Sequence, residues 1–374
     1  MPENKGSVLY VGGFELPDKN AAAHRVVNNA KVFRELGYNV IFCGVDKEIT
    51  RPSENATIIY GFDTFSIPYP SNNKQWIKQM LSIGVYADLL SRYPDIKLVV
   101  CYNLHAVPLA KVLRFCHKRG IKVVADCTEW YENKPSFNPI KLIKCLDTSL
   151  SMRVYQKKCD GIIAISTYLA NYYKASVKDI IVVPPLVDLN EDKFKCSSDK
   201  VNNKVTTFVY CGNPSARKEL LGDVVNAFQK ITELDYNLVI VGITKEQFLH
   251  MYKTDFDDSK IQFKGKLPHK DALNIVRQSD YAIVVRPRTR VTMAGFPTKF
   301  AEAISVSTPV IANDTSDLLS YIESGRNGYI VDIENLENDL RRILTVPEKP
   351  DVINDIFDYR NWIKQFDDFL KSLV

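Results

Sequence analysis

The sequence lacks any continuous apolar run of about 18 residues, the length that a transmembrane helix needs. Its first residues, MPENKGSVLYVGG, are polar and then form one short apolar run, which is not the pattern of a signal peptide. Glycine (16) and proline (18) are close to average usage, which excludes collagen-like and low-complexity chains. A chain of 374 residues with 45% hydrophobic residues predicts a globular protein of two domains, and we expect it in the cytoplasm.

The sequence also lacks a CxxC motif, and its eight cysteines stand singly, mostly inside apolar runs. A chain of this length can build a core without disulfides, so we expect reduced and buried thiols. No group of His and Cys residues has the spacing of a zinc site.

A strong excess of one charge is also missing, since the net charge is +5. The cations are nevertheless unevenly distributed: residues 1–188 carry 24 Lys and Arg against 17 Asp and Glu, a net charge of +7, and the remainder carries −2. Such asymmetry can direct the basic half towards an anionic surface, or it can reflect scattered, solvated lysines. A nucleic-acid partner is not expected, because there is no recognition motif and no dense basic stripe with interleaved aromatic residues.

The two halves of the sequence repeat one rhythm of short β-rich runs and helical stretches. In the first half, strands are predicted at 7–11, 39–43, 98–102, 122–125, 161–165 and 181–183, and helices at 21–37, 74–91, 106–119 and 140–158. In the second half, strands are predicted at 207–211, 237–241, 261–263, 281–285 and 309–312, and helices at 220–234, 270–278, 298–306 and 352–373. Near-continuous Val and Ile runs between helices are typical of parallel strands covered on both faces, so each half is predicted to be a doubly wound α/β sheet.

A polar stretch, DLNEDKFKCSSDKVNNK, separates the halves at 188–204. We therefore predict an N-terminal Rossmann-like domain at 1–188 and a C-terminal one at 189–350, with the helical segment 351–374 returning to the N-terminal domain. Two such domains would face a central cleft, and ligands would bind there, outside the carboxyl ends of the strands.

The most informative stretch for function is RPRTRVTMAGFPTKFAEAISVSTPVIA at 286–312. It predicts a strand end, an arginine-rich loop, and a helix that opens near Pro297 and Thr298. Free N–H groups at a helix start bind anions, and proline suits the first helical turn. Lys299 and Glu302 are three residues apart and therefore share one face of this helix.

This helix start suits a phosphate group and a sugar. An anion there would meet the helix dipole, the Thr298 hydroxyl and the Lys299 ammonium together. Glu302, one turn further along, can accept hydrogen bonds from the hydroxyls of a ribose. The spacing also fits an ordinary helix start that carries a solvated salt bridge.

Turns that contain glycine follow other predicted strands of the second half. The turn GNPSARK, after the first of these strands, contains Gly212, Asn213 and Lys218. Gly242 ends the next strand. Leu267 lies in the loop after the third strand. Each of these loops can equally be an ordinary surface turn.

In the first half, Gly12 and Gly13 follow the first strand, where glycine permits close approach of a phosphate or sugar. The spacing is not GxGxxG, and no acidic residue lies suitably after the second strand, so a dinucleotide oxidoreductase is not expected. Arg25 lies near the start of the following helix and is a candidate either for acceptor binding or for simple solvation.

Two further groups follow predicted strands of the first half. His105 follows the run 98–102, and the sequence DCTEWY places Asp126, Glu129, Trp130 and Tyr131 after the run 122–125. Carboxylates hydrogen-bond to hydroxyls, and aromatic faces stack on sugar rings. A histidine with a purely structural role is the alternative for His105.

The chain resembles family 4 glycosyltransferases of the GT-B fold over essentially its whole length. The resemblance is carried by GFPTKFAEA and TPVIA within 295–312, SGRNGYIV at 324–331, YCGNPSARKE at 210–219 and YVGGFELPDKNAAAHR at 10–25. It implies two Rossmann-like domains that face a cleft, the C-terminal one holding a nucleotide-sugar donor and the N-terminal one an acceptor.

The resemblance implies that Glu302 binds the nucleotide ribose and that Lys299 binds the diphosphate. The same donor site would include the adjoining residues Gly295, Phe296, Pro297 and Thr298. A glutamate that usually touches the donor sugar in this family is replaced here by Ala294.

Lys218 matches the second diphosphate-binding lysine of the family, whereas Asn213 stands where the family usually has arginine. Arg217, or an arginine of the 286–290 loop such as Arg286, would supply the missing charge. The loops of Gly242 and Leu267 would enclose the base, and Gly12, Gly13 and Gly212 would border the donor.

The function implied by the resemblance is a metal-independent, retaining glycosyltransferase without a cofactor. It would move a sugar from a UDP- or GDP-linked donor to a glycan or polyprenyl-linked saccharide, in the synthesis of a surface polysaccharide or glycoconjugate. The candidate catalytic residues are Lys218, Lys299, His105, Asp126 and Glu129. The candidate acceptor-binding residues are Arg25, Glu129, Trp130 and Tyr131.

Two alternatives stay open. A nucleotide-sugar epimerase of the same fold would use the same phosphate-binding features, and a non-catalytic nucleotide-sugar-binding subunit is favoured by Ala294 and Asn213. A metal is not expected, because the D-x-D sequence at Asp255 and Asp257 lies in a polar loop where a GT-A glycosyltransferase would not have it.

Two segments of the basic half combine lysines with apolar residues, KQWIKQML at 74–81 and KLIKCL at 141–146. This composition suits the interface of an anionic membrane, and the inner face of a membrane is therefore a candidate partner. The alternative is a pair of ordinary amphipathic helices whose apolar faces pack on the sheet.

Overall fold

The protein is described by a computed structural model that covers residues 4–132, 138–195, 205–215, 218–253, 256 and 259–373. It divides into two compact units: unit 1 contains residues 1–186 and 359–374, and unit 2 contains residues 187–358. The first boundary lies two residues before the one predicted at 188. The chain returns to unit 1 at Tyr359, so residues 351–358 belong to unit 2 rather than to the returning segment.

Unit 1 is built on an eight-stranded sheet of order β3-β4-β2-β1-β5-β6-β7-β8. The strands are β1 (Ser7–Gly12), β2 (Asn39–Asp46), β3 (Thr57–Ile59), β4 (Phe62–Pro68), β5 (Ile96–Tyr102), β6 (Lys122–Cys127), β7 (Gly161–Ala164) and β8 (Asp179–Val182). The helices are α1 (Ala21–Glu35), α2 (Asn73–Leu81), α3 (Gly84–Arg92), α4 (Ala106–His117), α5 (Pro139–Leu150) and α6 (Thr167–Tyr173). Every described strand pair is parallel except β3 with β4, an edge hairpin that the sequence analysis missed.

Local signals explain several helix ends in unit 1. The Asn20 side chain accepts a hydrogen bond from the Ala23 N–H at the start of α1, and Gly37, at φ 91°, lies just beyond its end, as a C-terminal glycine does. The long helix predicted at 74–91 is instead two helices, because Ser82 is extended at φ −110° and ψ 144°. After α5, residues 151–155 form a π-helical turn that continues the predicted helical segment.

Unit 2 is built on a six-stranded sheet of order β11-β10-β9-β12-β13-β14, in which every described pair is parallel. The strands are β9 (Thr206–Cys211), β10 (Tyr236–Val241), β11 (Ile261–Gly265), β12 (Tyr281–Val284), β13 (Val310–Ala312) and β14 (Gly328–Ile330). The helices are α7 (Leu221–Gln229), α8 (Lys245–Tyr252), α9 (His269–Gln278), α10 (Arg290–Ala294), α11 (Thr298–Ser305) and α12 (Leu336–Leu344). The prediction of two doubly wound α/β domains is confirmed.

The last helix, α13 (Ile363–Ser372), packs on unit 1. Phe366 lies edge-on against Phe33 of α1, with ring centroids 5.5 Å apart. A Cβ atom on Gly161 of β7 would lie 2.9 Å from the Phe369 ring, so only glycine leaves room for this helix. The predicted start at 352 is wrong: the chain first forms a 3₁₀ turn at Tyr359–Trp362, and α13 follows it.

Few apolar residues of α2 and α5 are buried. Each helix buries a single residue, Met80 in α2 and Asp147 in α5. The alternative in which the apolar face packs on the sheet does not fit α5, whose leucines are exposed, whereas α2 does bury one apolar residue.

The seven described cysteines are free thiols, and five of them are buried. This matches the reduced, largely buried thiols expected from the sequence. None of the helices in the described ranges is long and apolar enough to cross a membrane.

Candidate functional site

Lys299 is the second residue of α11, and its side chain is almost enclosed, with 16% of its surface exposed. Its Nζ atom lies 3.0 Å from the Glu219 carboxylate and 4.1 Å from the centroid of the Tyr210 ring. Burial lowers the pKa of the Lys299 ammonium, and the negative charge of Glu219 opposes this decrease. The structure therefore places a cation, with a carboxylate beside it, at the start of a helix, and Nε of Arg286 lies 3.9 Å from the same carboxylate.

Two glycines at neighbouring strand ends make this arrangement possible. Gly212 follows β9 with φ 144°, and a Cβ atom on it would lie 3.3 Å from Cε and Nζ of Lys299. Gly242 follows β10 with φ 111°, and a Cβ atom there would lie 2.1 Å from the Gly212 carbonyl oxygen. The Gly242 N–H donates to the Gly265 carbonyl at 2.7 Å. Gly242 is thus required by the approach of adjacent backbones, and Gly212 is favoured by its positive φ, next to the end of the Lys299 side chain.

Arg286 is buried and joins the loops around this cation. Its Nε donates to the Lys218 carbonyl at 3.3 Å and its Nη1 to the Gly295 carbonyl at 3.4 Å. Its backbone N–H donates to the Asn313 side chain at 2.9 Å, and the Asn313 amide donates back to the Arg286 carbonyl at 2.8 Å. The sequence analysis placed Arg286 against the donor, whereas these contacts show a guanidinium that holds two loops together.

Lys218 and Asn213 lie in the turn after β9. Asn213 is exposed and Lys218 is half-buried, and the Lys218 N–H donates to the Ser215 carbonyl at 2.8 Å. Glu219, which the sequence analysis missed, follows Lys218 directly and forms the ion pair with Lys299. Its position after Lys218 in the GNPSARKE sequence was the only available signal. Arg217 lies outside the described residues.

Glu302 lies one turn beyond Lys299 on α11, and its Oε1 is 3.1 Å from Nε2 of His269. His269 is the first residue of α9 and was also missed, because a histidine after a proline carries no sequence pattern of its own. Burial raises the pKa of the Cys211 thiol to about 12, with Glu302 adding to the increase and Lys299 opposing it. Both charged side chains therefore face the end of β9, as their spacing on the helix predicts.

Some residues around the start of α11 lie at the candidate site, and others lie in the core. Pro297 is the N-cap residue of α11 and Thr298 is its first residue, half-buried, so the predicted helix start is found. The Phe296 ring packs 5.5 Å from Tyr321 and 6.0 Å from Phe357, measured between centroids. Phe296 is thus part of an aromatic cluster in the core, and its contact with a donor stays a prediction. Leu267 is half-buried in the loop before α9.

In unit 1, two predicted site residues are buried against each other. Nη2 of Arg25 lies 2.7 Å from Oδ1 of Asp126, and their side chains are 3% and 0% exposed. The Tyr10 hydroxyl donates to Oδ2 of Asp126 at 2.5 Å, and Asn29 donates to the Tyr10 oxygen at 3.2 Å. Nη1 of Arg25 donates to the Val183 carbonyl at 2.9 Å. This placement corrects the expectation of a catalytic Asp126 and an acceptor-binding Arg25, because both side chains are enclosed and their polar atoms are used inside the unit.

The two glycines after β1 differ. Gly12 has φ 148°, and a Cβ atom on it would lie 2.0 Å from the Tyr102 carbonyl oxygen of β5, so glycine is required by the neighbouring strand. Gly13 is exposed, and a Cβ atom on it would have no neighbouring atom within 4 Å. Only Gly13 offers open backbone to a ligand.

His105 is the N-cap residue of α4 and forms a pair with Asp147 of α5. Its Nδ1 lies 2.6 Å from Oδ2 of Asp147, whose other oxygen accepts from the Ala106 N–H at 2.9 Å. The Trp76 ring of α2 packs edge-on against the imidazole at 5.6 Å between centroids. The imidazole is 35% exposed and is oriented by a buried carboxylate, which is an arrangement suited to a positioned acid or base.

The remaining candidates in unit 1 lie after β6. Glu129 is exposed, and the buried Trp130 packs edge-on against Tyr172 at 4.9 Å between centroids. Trp130 and Tyr131 help to line a cavity of about 150 Å³. The other lining residues are Cys145, Ser149, Met152, Arg153 and Tyr172. Arg153, in the π-helical turn, adds a cation to this aromatic cavity and was not predicted.

The structure thus brings the unit 2 candidates together around Lys299 and Glu302, and the unit 1 candidates into separate groups around His105 and around Trp130. Asp126 and Arg25 belong to neither group. The D-x-D residues Asp255 and Asp257 lie outside the described residues.

Residues 192–356, which fall within unit 2, match the family model described as glycosyl transferases group 1. None of the curated proteins that were compared matches the sequence.

Three solved structures share the fold over nearly the whole chain. Sucrose-phosphate synthase from Thermosynechococcus elongatus has a TM-score of 0.69 at 13% identity, covering 98% of this chain and 99% of its own. The catalytic domain of starch synthase IV from Arabidopsis thaliana, bound to ADP and acarbose, has a TM-score of 0.68 at 11% identity, with 99% of both chains covered. HepE from Anabaena in complex with UDP-glucose has a TM-score of 0.65 at 12% identity, covering 98% of this chain and 100% of its own.

At these identities the similarity establishes the fold, which is the GT-B fold with its two Rossmann-like domains. The family match covers less than half of the chain and lies within unit 2.

Proposed function

We propose that the protein is a retaining, metal-independent glycosyltransferase that uses a nucleotide-diphosphate sugar. The observation that carries the proposal is Lys299: a nearly enclosed cation at the start of α11, paired with Glu219 and one turn from Glu302, inside the segment that matches the family model. The donor would be linked to UDP or GDP, and the acceptor would be a glycan or lipid-linked saccharide.

The residues of unit 2 have distinct roles in this proposal. The N–H groups that open α11, together with Lys299 and Lys218, stabilise the negative charge that develops on the leaving diphosphate. Glu302 accepts hydrogen bonds from the ribose, and His269, 3.1 Å from it, orients the carboxylate. Glu219 keeps the Lys299 ammonium charged against the effect of burial.

Unit 1 would bind the acceptor. The cavity beside Trp130 and Tyr131 offers aromatic faces and the Arg153 cation, and Glu129 is exposed next to it. His105, oriented by Asp147, is the candidate acid or base on this side. We place the protein in the cytoplasm, peripherally at the inner face of a membrane where lipid-linked acceptors are presented.

The test is a screen of UDP- and GDP-linked sugars by thermal shift, followed by calorimetry and product analysis with saccharide acceptors. Binding of a nucleotide sugar that Lys299→Ala weakens, together with transfer to an acceptor, supports the proposal. Absence of nucleotide binding by the folded wild-type protein would overturn it.

A non-catalytic nucleotide-sugar-binding subunit is the second candidate, favoured by Ala294. This residue is fully buried at the end of α10, where the resemblance to family 4 expects a glutamate in contact with the donor sugar. Incubating the protein with the bound nucleotide sugar, with and without acceptors, separates the candidates. Transfer identifies the transferase, epimerised donor without acceptor identifies an isomerase, and binding without any turnover identifies the subunit.

A further inference from the structure

The cavity of about 150 Å³ in unit 1 combines aromatic walls with a permanent cation. Trp130, Tyr131 and Tyr172 supply the rings and Arg153 supplies the guanidinium, and we call this space the aromatic cavity. Small-molecule pockets usually enclose roughly 300–1,000 Å³, so the aromatic cavity suits one compact unit, such as a single sugar ring, rather than an oligosaccharide. Aromatic faces pack against the apolar faces of sugar rings, and the few polar groups of such a pocket decide which sugar fits.

Arg153 reaches the aromatic cavity from an irregular helical segment. It lies in the π-helical turn Ser151–Tyr155, which directly follows α5. Single π-helical turns next to α-helices are frequent at functional sites. Met152 is buried and Arg153 is exposed, and Arg153 forms no ion pair with any residue that the structure describes. Its guanidinium is therefore available to a ligand.

A second cation lies at the same wall of the aromatic cavity. Nζ of Lys157 lies over the Tyr172 ring, 4.6 Å from its centroid. Lys157 follows Arg153 by four residues, and neither the residues between them nor the described lining residues include an acid. Glu129 is exposed and is not one of those lining residues. The electrostatic potential at this wall is therefore positive, which favours an anionic ligand.

The polar groups of the cavity wall are hydrogen-bond donors. The Arg153 guanidinium has five N–H donors and no acceptor, and the hydroxyls of Tyr131 and Ser149 can also donate. Burial raises the pKa of the Tyr131 hydroxyl, and the charge of Glu129 adds to the increase, so this hydroxyl keeps its proton at neutral pH. Such a wall complements a group that only accepts hydrogen bonds and carries negative charge, namely a carboxylate or a phosphate.

We propose that the aromatic cavity binds a sugar unit of the acceptor that carries an anionic group, either a uronate carboxylate or a phosphate. The sugar ring would lie against the rings of Trp130 and Tyr131, and the anionic group would accept two parallel hydrogen bonds from Arg153. The inference rests on the proposed function, which places the acceptor in unit 1, and it adds the charge class of that acceptor.

The test compares three probes that differ at carbon 6 of one sugar: methyl glucuronide, methyl glucoside 6-phosphate and the neutral methyl glucoside. Their dissociation constants with the full-length protein are measured by NMR titration. We expect one or both anionic probes to bind about tenfold or more tightly than methyl glucoside, and salt should reduce this preference. The probe with the stronger preference distinguishes a carboxylate from a phosphate.

The variant Arg153→Gln should abolish the preference for the anionic probe and leave the affinity for methyl glucoside unchanged. Arg153→Lys should keep part of the preference, because its ammonium keeps the charge but loses the planar fork of donors. The matched control is Lys158→Gln, which removes an exposed cation five residues further along that does not line the cavity. It should leave all three affinities within about twofold of the wild type. Because both replaced side chains are exposed, the melting temperatures should stay that of the wild type.

The place of binding is read from Cys145, a half-exposed thiol of the cavity wall. A saturating anionic probe should slow the alkylation of Cys145 by iodoacetamide, measured by peptide mass spectrometry. The same probe concentration should give little protection in Arg153→Gln, because the cavity is then largely empty.

Three results would overturn the proposal. The first is a wild-type protein that binds neither anionic probe more tightly than methyl glucoside. The second is equal loss of the preference in Arg153→Gln and Lys158→Gln. The third is a preference that Lys299→Ala abolishes and Arg153→Gln does not, since this would assign the anionic probe to the candidate donor site.

Nucleotide binding, measured on the same samples, separates this inference from the proposed function. A protein that binds a nucleotide sugar but shows no preference for the anionic probes contradicts the inference alone. A protein that shows the preference but binds no nucleotide contradicts the proposed function, and the charge selectivity of the aromatic cavity would then belong to another activity.

Discussion

Each unit has an ion pair of low exposure near the carboxyl ends of its strands, Arg25 with Asp126 in unit 1 and Lys299 with Glu219 in unit 2, and the two pairs differ in enclosure. In unit 1, Arg25 and Asp126 are 3% and 0% exposed, and two further side chains close around them. In unit 2, Lys299 and Glu219 are 16% and 9% exposed, and the lysine lies at the open start of a helix. The comparison teaches that a charged residue near a strand end indicates a site only when its charge can still meet a ligand. The first pair is closed within unit 1, and we expect the second, whose lysine keeps some exposure, to bind a ligand.

The largest expected effect comes from removing one partner of the enclosed pair of Arg25 and Asp126. Arg25→Ala should destabilise the protein by about 3–5 kcal/mol, because it leaves the Asp126 charge buried without its partner. Urea denaturation followed by circular dichroism measures this loss. A variant with wild-type stability and lost activity would show instead that the closed pair belongs to the active site, and the comparison would fail.

Replacing Lys299 of the second pair, or Lys218 beside Glu219, should instead affect ligand binding more than stability. Lys299→Ala and Lys218→Ala should each weaken UDP or GDP binding and lower turnover about 10- to 150-fold, because each removes a charge-assisted phosphate contact worth about 1.5–3 kcal/mol. Unfolding free energies measured on the same samples should change far less than in Arg25→Ala. Unchanged nucleotide affinity in both lysine variants would contradict the diphosphate assignment.

The pH dependence of nucleotide binding tests whether Glu219 raises the pKa of Lys299. Burial lowers the pKa of Lys299 and Glu219 raises it, so the neutral variant Glu219→Gln should lower this pKa further. The protonated lysine binds the diphosphate, so affinity should fall as pH rises through the pKa of Lys299, and this fall should begin at a lower pH in Glu219→Gln than in the wild type. Lys299→Arg is the control, since its guanidinium stays charged and should remove this alkaline loss. Coincident pH profiles of Glu219→Gln and the wild type, from calorimetric titrations, would argue against the coupling.

The smallest expected effect is that of removing metal ions. If Lys299, Lys218 and the start of α11 supply the positive charge that the leaving diphosphate needs, activity should survive EDTA. Turnover of the wild type is measured before and after chelation. Complete loss that Mn²⁺ restores would show that the open pair is insufficient alone, and attention would return to Asp255 and Asp257.

The local part of the candidate site could be predicted from the sequence. Lys299 and Glu302 lie on one face of α11 because a three-residue spacing has only one outcome on a helix, and α11 begins where proline suits a first turn. Glu219 and His269 could not be found in this way. Each reaches its partner across the fold and stands in no periodic pattern, and the GNPSARKE sequence does not show that Glu219 pairs with Lys299.

The exposure of the apolar stripe of α5 could not be predicted from the sequence either. Its stripe of leucine and isoleucine is typical of a helix that covers a sheet, and the lysines beside it fit both a solvated face and a membrane surface. Only the packing shows that the stripe faces outwards, since Asp147 is the residue that α5 buries. The exposure of the stripe therefore depended on the packing of α5 through Asp147 against His105, which lies at the start of another helix.

The sequence by itself determined the two doubly wound sheets, because runs of Val and Ile and the helical periodicity between them are local properties that parallel pairing satisfies. It also determined the start of α11 and the face that carries Lys299. Tertiary structure decided which charges stay accessible: it enclosed Arg25 with Asp126 and left Lys299 beside Glu219 at an open helix start. The physical reason is that burial depends on what distant segments bring to a residue, and a one-dimensional pattern contains the residue but not its neighbours.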